Sequence, residues 1–173
     1  AVTCGLRHQV EGLEHLPAAP GVILSKHQSA WETIMFQVIF PPQIWALKRE
    51  ALWLPFFGWG LAATSPIAID RSTPVRALDR LLRQGREKLA EGRWVVIFPE
   101  GTRMAPGEQG AFHPGGAMLA VKAGVDVLPV ARVFYPYDAA GDTFRVEIVG
   151  RVTISTRQYT VVRYIDLDQG GAT

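Results

Sequence analysis

One short segment, KHQSAWE at residues 26–32, places a histidine and a glutamate between two apolar stretches. Imidazole can accept a proton at neutral pH, so His27 is a candidate general base. From the first turn of a helix, the carboxylate of Glu32 could fold back to the ring and fix its orientation. The alternative is a capping box, in which Glu32 accepts a hydrogen bond from the backbone N–H of Ser29. The spacing alone leaves both interpretations open.

A second segment, AIDRSTP at residues 68–74, sets Asp70 and Arg71 between an apolar run and the start of a helix. A guanidinium group presents a planar fork of donors that suits phosphate, so Arg71 is a candidate anion ligand. The partial positive charge of the helix N-terminus would favour the same ligand. An Asp-Arg turn exposed to water is the alternative.

The third segment, FPEGTR at residues 98–103, follows another apolar run and is the most informative of the three. Gly101 allows the backbone to come close to a ligand, and Arg103 offers a positive charge. Glu100 could accept hydrogen bonds from hydroxyl groups, and Thr102 could donate one to an oxygen. Pro-Glu-Gly also forms ordinary turns, but few such turns need an arginine directly behind them.

Length and composition limit the classes of protein to consider. With 173 residues and a net charge of +2, the chain fits a single domain, residues 1–173, without the basic footprint of a nucleic-acid-binding protein. Cys4 is its one cysteine, and neither a CxxC nor an HExxH spacing occurs, so no metal site and a reducing compartment are expected. The opening residues lack the pattern of a signal peptide.

The longest uncharged run, residues 51–69, is interrupted by two prolines and two glycines, so a transmembrane helix is not expected. Its aromatic side chains suit contact with a lipid surface or with an acyl chain, and burial in the core is the alternative. These side chains are Trp53, Phe56, Phe57 and Trp59.

The hydrophobic pattern predicts strands and helices in alternation. Apolar runs predict buried strands at 21–25, 43–47, 66–69 and 94–98. Three- and four-residue spacing predicts helices at 30–40, 74–92 and 115–124. A strand interrupted by Pro129 and a strand at 144–149 with one exposed face follow. The alternation predicts an α/β fold with a mainly parallel central sheet flanked by helices, whose strand ends carry the chemistry.

The ordered set of motifs resembles the glycerolipid acyltransferase family. H-x4-E is followed by IAIDR, by VVIFPEGTR and by the proline-bearing strand VDVLPV. LKREALW and PFFGWGLA are similar to blocks of the bacterial members that acylate lysophosphatidic acid, and the resemblance covers residues 20–135. Position 32 is glutamate where aspartate is commoner, and His113 stands where a basic residue such as lysine is expected.

The resemblance implies a glycerol-3-phosphate acyltransferase-like fold and an enzyme of phospholipid biosynthesis. Its members transfer a fatty acyl group from acyl-CoA or acyl-carrier protein to the sn-2 hydroxyl of lysophosphatidic acid, which gives phosphatidic acid without a cofactor. It implies that His27 is the base and Glu32 its orienting partner, and that Pro129 lies on the acyl-donor side. The residues that would hold the acceptor are Arg71, Glu100, Gly101, Thr102 and Arg103.

The resemblance further implies a bacterial protein at the cytoplasmic face of the inner membrane, with no nucleic acid as partner. Glycerol 3-phosphate or another lysolipid could replace lysophosphatidic acid as the acceptor. A phospholipid-binding module without activity is the alternative outside enzymes. A lipid hydrolase is disfavoured because no serine lies in a GxSxG elbow.

Overall fold

Seven strands form one sheet in the computed structural model, which describes residues 7–29, 31–105, 108, 110–135 and 143–148. The strands are β1 (Arg7–Glu11), β2 (Val22–Ser25), β3 (Gln43–Lys48), β4 (Ile67–Ile69), β5 (Trp94–Ile97), β6 (Val127–Tyr135) and β7 (Thr143–Ile148). The helices are α1 (Trp31–Ile39), α2 (Phe57–Ala63), α3 (Pro74–Ala90) and α4 (Gly115–Ala123).

The sheet has the order β1-β7-β6-β2-β5-β3-β4, and its strands from β6 to β4 are all parallel. β7 runs antiparallel to β6, and β1 pairs with β7 in parallel. The predicted α/β fold with a mainly parallel sheet is therefore confirmed. The carboxyl ends of β2, β3, β4 and β5 meet at one edge, where the segments with candidate functional residues begin.

Helices cover both faces of the sheet. On one face, α1 packs Phe36 against Ile23 and its neighbours. On the other, α3 and α4 pack Leu81 and Leu119 against Leu24 and its neighbours. Strands β2 and β5 are buried at every residue, which explains why they read as continuous apolar runs. Each large apolar side chain buried in this way stabilises the fold by roughly 1.5–3 kcal/mol.

Several boundaries differ from the sequence prediction. Pro129 does not interrupt β6. Proline lacks a backbone N–H, but alternate residues of a strand form hydrogen bonds to opposite neighbouring strands, so only one hydrogen bond of the sheet is lost. Val146 and Ile148 of β7 are buried as predicted. The prediction missed β1, which is short and polar, and α2, which lies inside the uncharged run. Among the described residues, none of the helices is long and apolar enough to cross a bilayer.

Candidate active site

His27 follows β2 directly and is held between two loops. Its imidazole stacks on the ring of Phe98 with a centroid distance of 4.1 Å and an interplanar angle of 12°. Its carbonyl oxygen accepts a hydrogen bond of 2.9 Å from the backbone N–H of Met104. The segment after β5 is thereby fastened to the segment after β2, which brings FPEGTR beside the histidine.

Glu32 lies in the first turn of α1 and is fully buried. Its carboxylate accepts hydrogen bonds from the backbone N–H groups of Gln28 (3.2 Å) and Ser29 (3.0 Å) and from the Ser29 hydroxyl (3.1 Å). Oε2 also lies 3.7 Å from Nδ1 of His27. The two interpretations of the sequence are therefore compatible, since one carboxylate caps the helix and faces the imidazole.

The imidazole of His27 presents its two nitrogens to different surroundings. Nδ1 is buried on the side of Glu32, while the ring lines an open cavity and its side chain is 16% exposed. This leaves Nε2 to face a ligand in the cavity. A buried carboxylate beside Nδ1 stabilises the imidazolium that forms when Nε2 takes a proton. The pair can therefore act as a general base and its orienting partner.

A cavity of about 370 Å³ opens beside His27 at the carboxyl edge of the sheet. Three cationic side chains line it, and none of the described residues in its wall is acidic. The cations are Lys48, Arg71 and Arg103, and Gly101 and Thr102 line the same cavity. The prediction that the base and the arginines share one cavity is confirmed. A cavity with this charge favours a ligand that carries a phosphate.

Gly101 permits close contact between the two arginine-bearing segments. Its φ of 71° lies in the left-handed region, and a Cβ at this position would lie 3.2 Å from Nη1 and 3.3 Å from Nη2 of Arg71. The guanidinium group thus rests against the backbone of the FPEGTR turn. The positive φ favours glycine at this position, and the absence of a side chain leaves room for the guanidinium group.

Two predicted site residues lie away from this cavity. Glu100 is buried, and its Oε1 accepts a hydrogen bond of 3.2 Å from the backbone N–H of Gly110. Pro129 is buried in β6, opposite Leu24 of β2. Neither residue lines the cavity, because one points into the loop that follows β5 and the other lies inside the sheet. The substrate contacts predicted for them stay predictions.

The aromatic residues of the uncharged run lie at the surface, so the alternative of a buried core is wrong. Trp53 is 69% exposed, Phe56 80% and Trp59 64%, and the rings of the last two are 5.2 Å apart. Phe57 is 47% exposed and differs from them because it lines the cavity beside His27. We call Trp53, Phe56 and Trp59 the aromatic patch. Its members are close in the chain to Ala51 and Phe57, which line the cavity.

A second cavity of about 320 Å³ lies between the sheet and the helices α3 and α4. Its wall is mainly apolar and shares Arg71, Phe98 and Gly101 with the first cavity. His113 also lines this second cavity, close to the start of α4. The histidine at the position where a lysine was expected is therefore near Arg71 but not in the cavity that holds His27.

Lys48 and Phe98 are among the residues of the cavity beside His27 that sequence reasoning did not single out. Each stands at the carboxyl end of a predicted strand, and this is the signal that would have found them. In the part of the chain that the structure describes, no group of three or more His, Cys, Asp or Glu side chains is placed to hold a metal ion.

The fold and the site define a class of protein: an α/β domain with a histidine, a buried carboxylate beside it and a cationic cavity at the carboxyl edge of its sheet. Residues 7–133 match the model of the acyltransferase family. The chain belongs to this family, which confirms the resemblance of its motifs.

Known proteins with similar sequences carry one name. The 1-acyl-sn-glycerol-3-phosphate acyltransferase of Pseudomonas aeruginosa is 56% identical over 130 residues, which are 75% of this chain and 51% of that protein. The protein of the same name from Saccharomyces cerevisiae is 33% identical over 135 residues, 73% of this chain and 43% of the relative. The chain thus spans about half the length of these curated relatives.

One solved structure shows the same fold. The crystal structure of the 1-acyl-sn-glycerophosphate (LPA) acyltransferase from Thermotoga maritima superimposes with a TM-score of 0.66 at 24% identity. The match covers 85% of this chain and 61% of that one. It supports the assignment of the fold.

Proposed function

We propose that the chain carries the catalytic centre of a 1-acyl-sn-glycerol-3-phosphate acyltransferase. In this proposal, a fatty acyl group passes from acyl-CoA or acyl-carrier protein to the sn-2 hydroxyl of lysophosphatidic acid, and phosphatidic acid forms. The observation that carries it is one cavity that contains His27, backed by Glu32, together with Lys48, Arg71 and Arg103. The names of the relatives from Pseudomonas aeruginosa and Saccharomyces cerevisiae support the same activity.

The proposed mechanism is direct transfer without an acyl-enzyme. Nε2 of His27 takes the proton of the sn-2 hydroxyl as its oxygen attacks the thioester carbonyl. The tetrahedral intermediate then collapses, the C–S bond breaks, and the thiolate leaves and receives the proton from His27. Glu32 stabilises the imidazolium between the two steps. This chemistry needs neither a metal ion nor a redox cofactor.

The acceptor is proposed to bind through its phosphate. Guanidinium and ammonium groups at the end of the cavity supply charge-assisted hydrogen bonds, and the hydroxyl of Thr102 can donate a further one. A substrate held in this way places its glycerol toward the imidazole of His27. Acceptor specificity therefore depends on the distance between the cations and the base.

The experiment that tests the function uses labelled acyl-CoA and labelled acyl-carrier protein with a panel of acceptors. Labelled phosphatidic acid from lysophosphatidic acid is the expected product. Faster acylation of glycerol 3-phosphate or of another lysolipid would assign the site to that acceptor. Tight binding of lysophosphatidic acid without turnover would identify a phospholipid-binding module and overturn the proposal.

Arg103→Ala is expected to raise the KM for lysophosphatidic acid by roughly tenfold to a hundredfold, with a smaller change in kcat. A charged hydrogen bond to phosphate contributes about 1.5–3 kcal/mol, and the arginine holds a part of the acceptor that does not react. Initial rates at fixed ionic strength measure both constants. Arg83→Ala is the matched control, since Arg83 lies in a separate groove on α3. Equal effects of the two substitutions would mean that only net charge matters.

We also propose that the aromatic patch docks on the cytoplasmic face of the inner membrane, where the lysolipid and the acyl chain reside. Aromatic side chains are favoured at membrane interfaces. The backbone of Phe56 supports this proposal, because its φ of 61° is unfavourable for a residue with a side chain and yet leaves the ring 80% exposed. Strain of this kind costs roughly 1–3 kcal/mol and is typical of functional sites.

The double variant Trp53→Ser/Phe56→Ser is expected to weaken binding to phospholipid vesicles at least tenfold in a flotation assay, on the order of the burial energy of two large side chains. The matched control is Ile34→Ser/Val38→Ser, which removes two other exposed apolar side chains, 62% and 74% exposed, from α1. Phe57 stays unchanged because it lines the catalytic cavity. Unaltered flotation of the first variant would count against docking through the patch.

A further inference from the structure

A third recess, of about 230 Å³, lies beside the catalytic cavity and contains three arginines. Arg49 comes from the short 3-10 turn that follows β3, and Arg76 and Arg80 lie one helical turn apart on α3. Asp70 and Thr73 complete the polar part of the wall. Two separate segments, the turn after β3 and α3, thus bring guanidinium groups to one place.

The positive charge of this recess is only partly neutralised. Asp70 supplies its one carboxylate, whose Oδ2 lies 3.6 Å from Nη1 of Arg49. Hydrogen bonds from the hydroxyl and the backbone N–H of Ser72 to Oδ1 lower the pKa of Asp70, so the carboxylate is ionised. Three guanidinium groups line the recess together with this single carboxylate, and like charges one helical turn apart destabilise a helix. An anion bound in the recess would remove that repulsion.

The arginines of the recess also have donors to spare. Arg80 uses one, through a hydrogen bond of 3.2 Å from its Nη1 to the carbonyl oxygen of Ala68. Arg76 forms no ion pair within the described residues. Each guanidinium has five N–H donors, so most of them remain for a ligand in the recess.

The recess adjoins both the aromatic patch and the catalytic cavity. The guanidinium carbon of Arg49 lies 6.0 Å from the ring centroid of Trp53, which belongs to the patch. Lys48 and Arg71, the chain neighbours of Arg49 and Asp70, line the catalytic cavity. A membrane that contacts the patch would therefore bring its headgroups to this recess, outside the cavity in which the acceptor binds.

We propose that the recess of Arg49, Arg76 and Arg80 binds the phosphate of an anionic phospholipid headgroup and orients the catalytic cavity on the membrane. Guanidinium forks match the geometry of a phosphate diester, and basic side chains near an anionic bilayer each add to the attraction. The inference rests on the proposed docking through the aromatic patch. It concerns a lipid other than the substrate, since the substrate phosphate occupies the site of Arg71 and Arg103.

The experiment compares binding to vesicles of phosphatidylcholine alone and to vesicles that also contain phosphatidylglycerol. The wild-type protein is expected to prefer the anionic vesicles, and Arg76→Gln/Arg80→Gln is expected to lose at least ~10-fold in affinity for them. Arg83→Gln/Arg86→Gln is the control, because it removes the same charge from the same helix but from a different groove. It is expected to stay within about threefold of wild type.

Each contrary outcome overturns the proposal. An equal loss of affinity in both double variants would mean that only net charge matters. Equal binding of the wild type to both kinds of vesicle would mean that the recess does not recognise an anionic lipid. A higher KM of Arg76→Gln/Arg80→Gln for acyl-CoA but not for acyl-dephospho-CoA, with unchanged vesicle binding, would assign the recess to the donor. A higher KM for acyl-carrier protein alone would assign it to that acidic protein.

The design keeps this inference separate from the proposed activity. Vesicle binding needs no turnover, and acyl transfer is measured with lysophosphatidic acid dispersed in detergent. Wild-type protein that discriminates between the vesicles but transfers no acyl group would overturn the activity and not the recess. If loss of the bond from Arg80 to Ala68 prevents folding, Arg76→Gln alone provides the comparison.

Discussion

His27→Ala is expected to lower turnover by ~10²- to 10⁴-fold, because a positioned general base contributes about that much to proton transfer. The acceptor hydroxyl then has no group that can take its proton, whereas the cations that hold the phosphate remain in place. The KM for lysophosphatidic acid should therefore change much less than kcat. Steady-state rates with detergent-dispersed substrate measure both constants, and a thermal melt checks the fold.

His113→Ala is the matched control for this substitution. It removes an imidazole that lines the second cavity and not the cavity beside His27, and it is expected to change turnover less than tenfold. A His27→Ala variant with near-normal turnover would show that another group takes the proton. A large loss in His113→Ala instead would place the base at the second cavity.

Glu32→Gln is expected to lower turnover by roughly 10²- to 10⁴-fold and to destabilise the protein. Replacing the carboxylate that orients a catalytic histidine by its amide has an effect up to that scale in a serine protease. The amide keeps the size of the side chain but loses the negative charge beside Nδ1 of His27. It also replaces an acceptor oxygen by a donor, so one bond from Ser29 is lost at a cost of about 1.5–3 kcal/mol.

Ser29→Ala separates the two roles of the carboxylate. It removes the hydroxyl that donates to Glu32 and that also accepts from the N–H of Trp31, but it leaves the charge beside His27. A loss of about 1 kcal/mol in stability is expected, with turnover reduced less than tenfold. Urea unfolding and initial rates of both variants give the comparison. Equal losses of turnover would mean that Glu32 acts only as a cap.

The sheet could be predicted because its central strands are buried on both faces. Such strands, for example Trp94–Ile97, are continuous apolar runs and end in polar segments that the fold places at one edge. β1 could not be predicted, since RHQVE is short and mostly polar, and it becomes a strand only by pairing with β7 more than a hundred residues away. The strand propensity of a short segment does not predict such a long-range pairing.

The site could be predicted as far as its residues follow strand ends. His27, Arg71 and Arg103 fall in this group, and Lys48 belongs to it by the same rule. The direction of Glu100 could not be predicted, because it depends on a bond to Gly110, in a loop that no periodicity describes. The spacing of Ser29 and Glu32 also could not decide between capping the helix and facing the imidazole, since one carboxylate does both.

The arginine recess illustrates a different limit. Arg49, Arg76 and Arg80 belong to no common motif, and on α3 the last two look like ordinary charges on a solvated helix face. Their convergence depends on the packing of α3 beside the end of β3. A charge cluster built from separate elements can be recognised only once the elements are assembled.

The hydrogen bond between the Met104 N–H and the carbonyl oxygen of His27 joins two backbone segments, so side-chain replacement leaves it in place. It holds the base and the arginine loop at a constant separation. On a glycerol phosphate, the two hydroxyls that can be acylated lie at different distances from the phosphorus atom. A fixed distance between the proton acceptor and the cations that bind the phosphate would therefore select which hydroxyl reacts. The regiochemistry of the reaction would then depend on a backbone contact and not on a side chain.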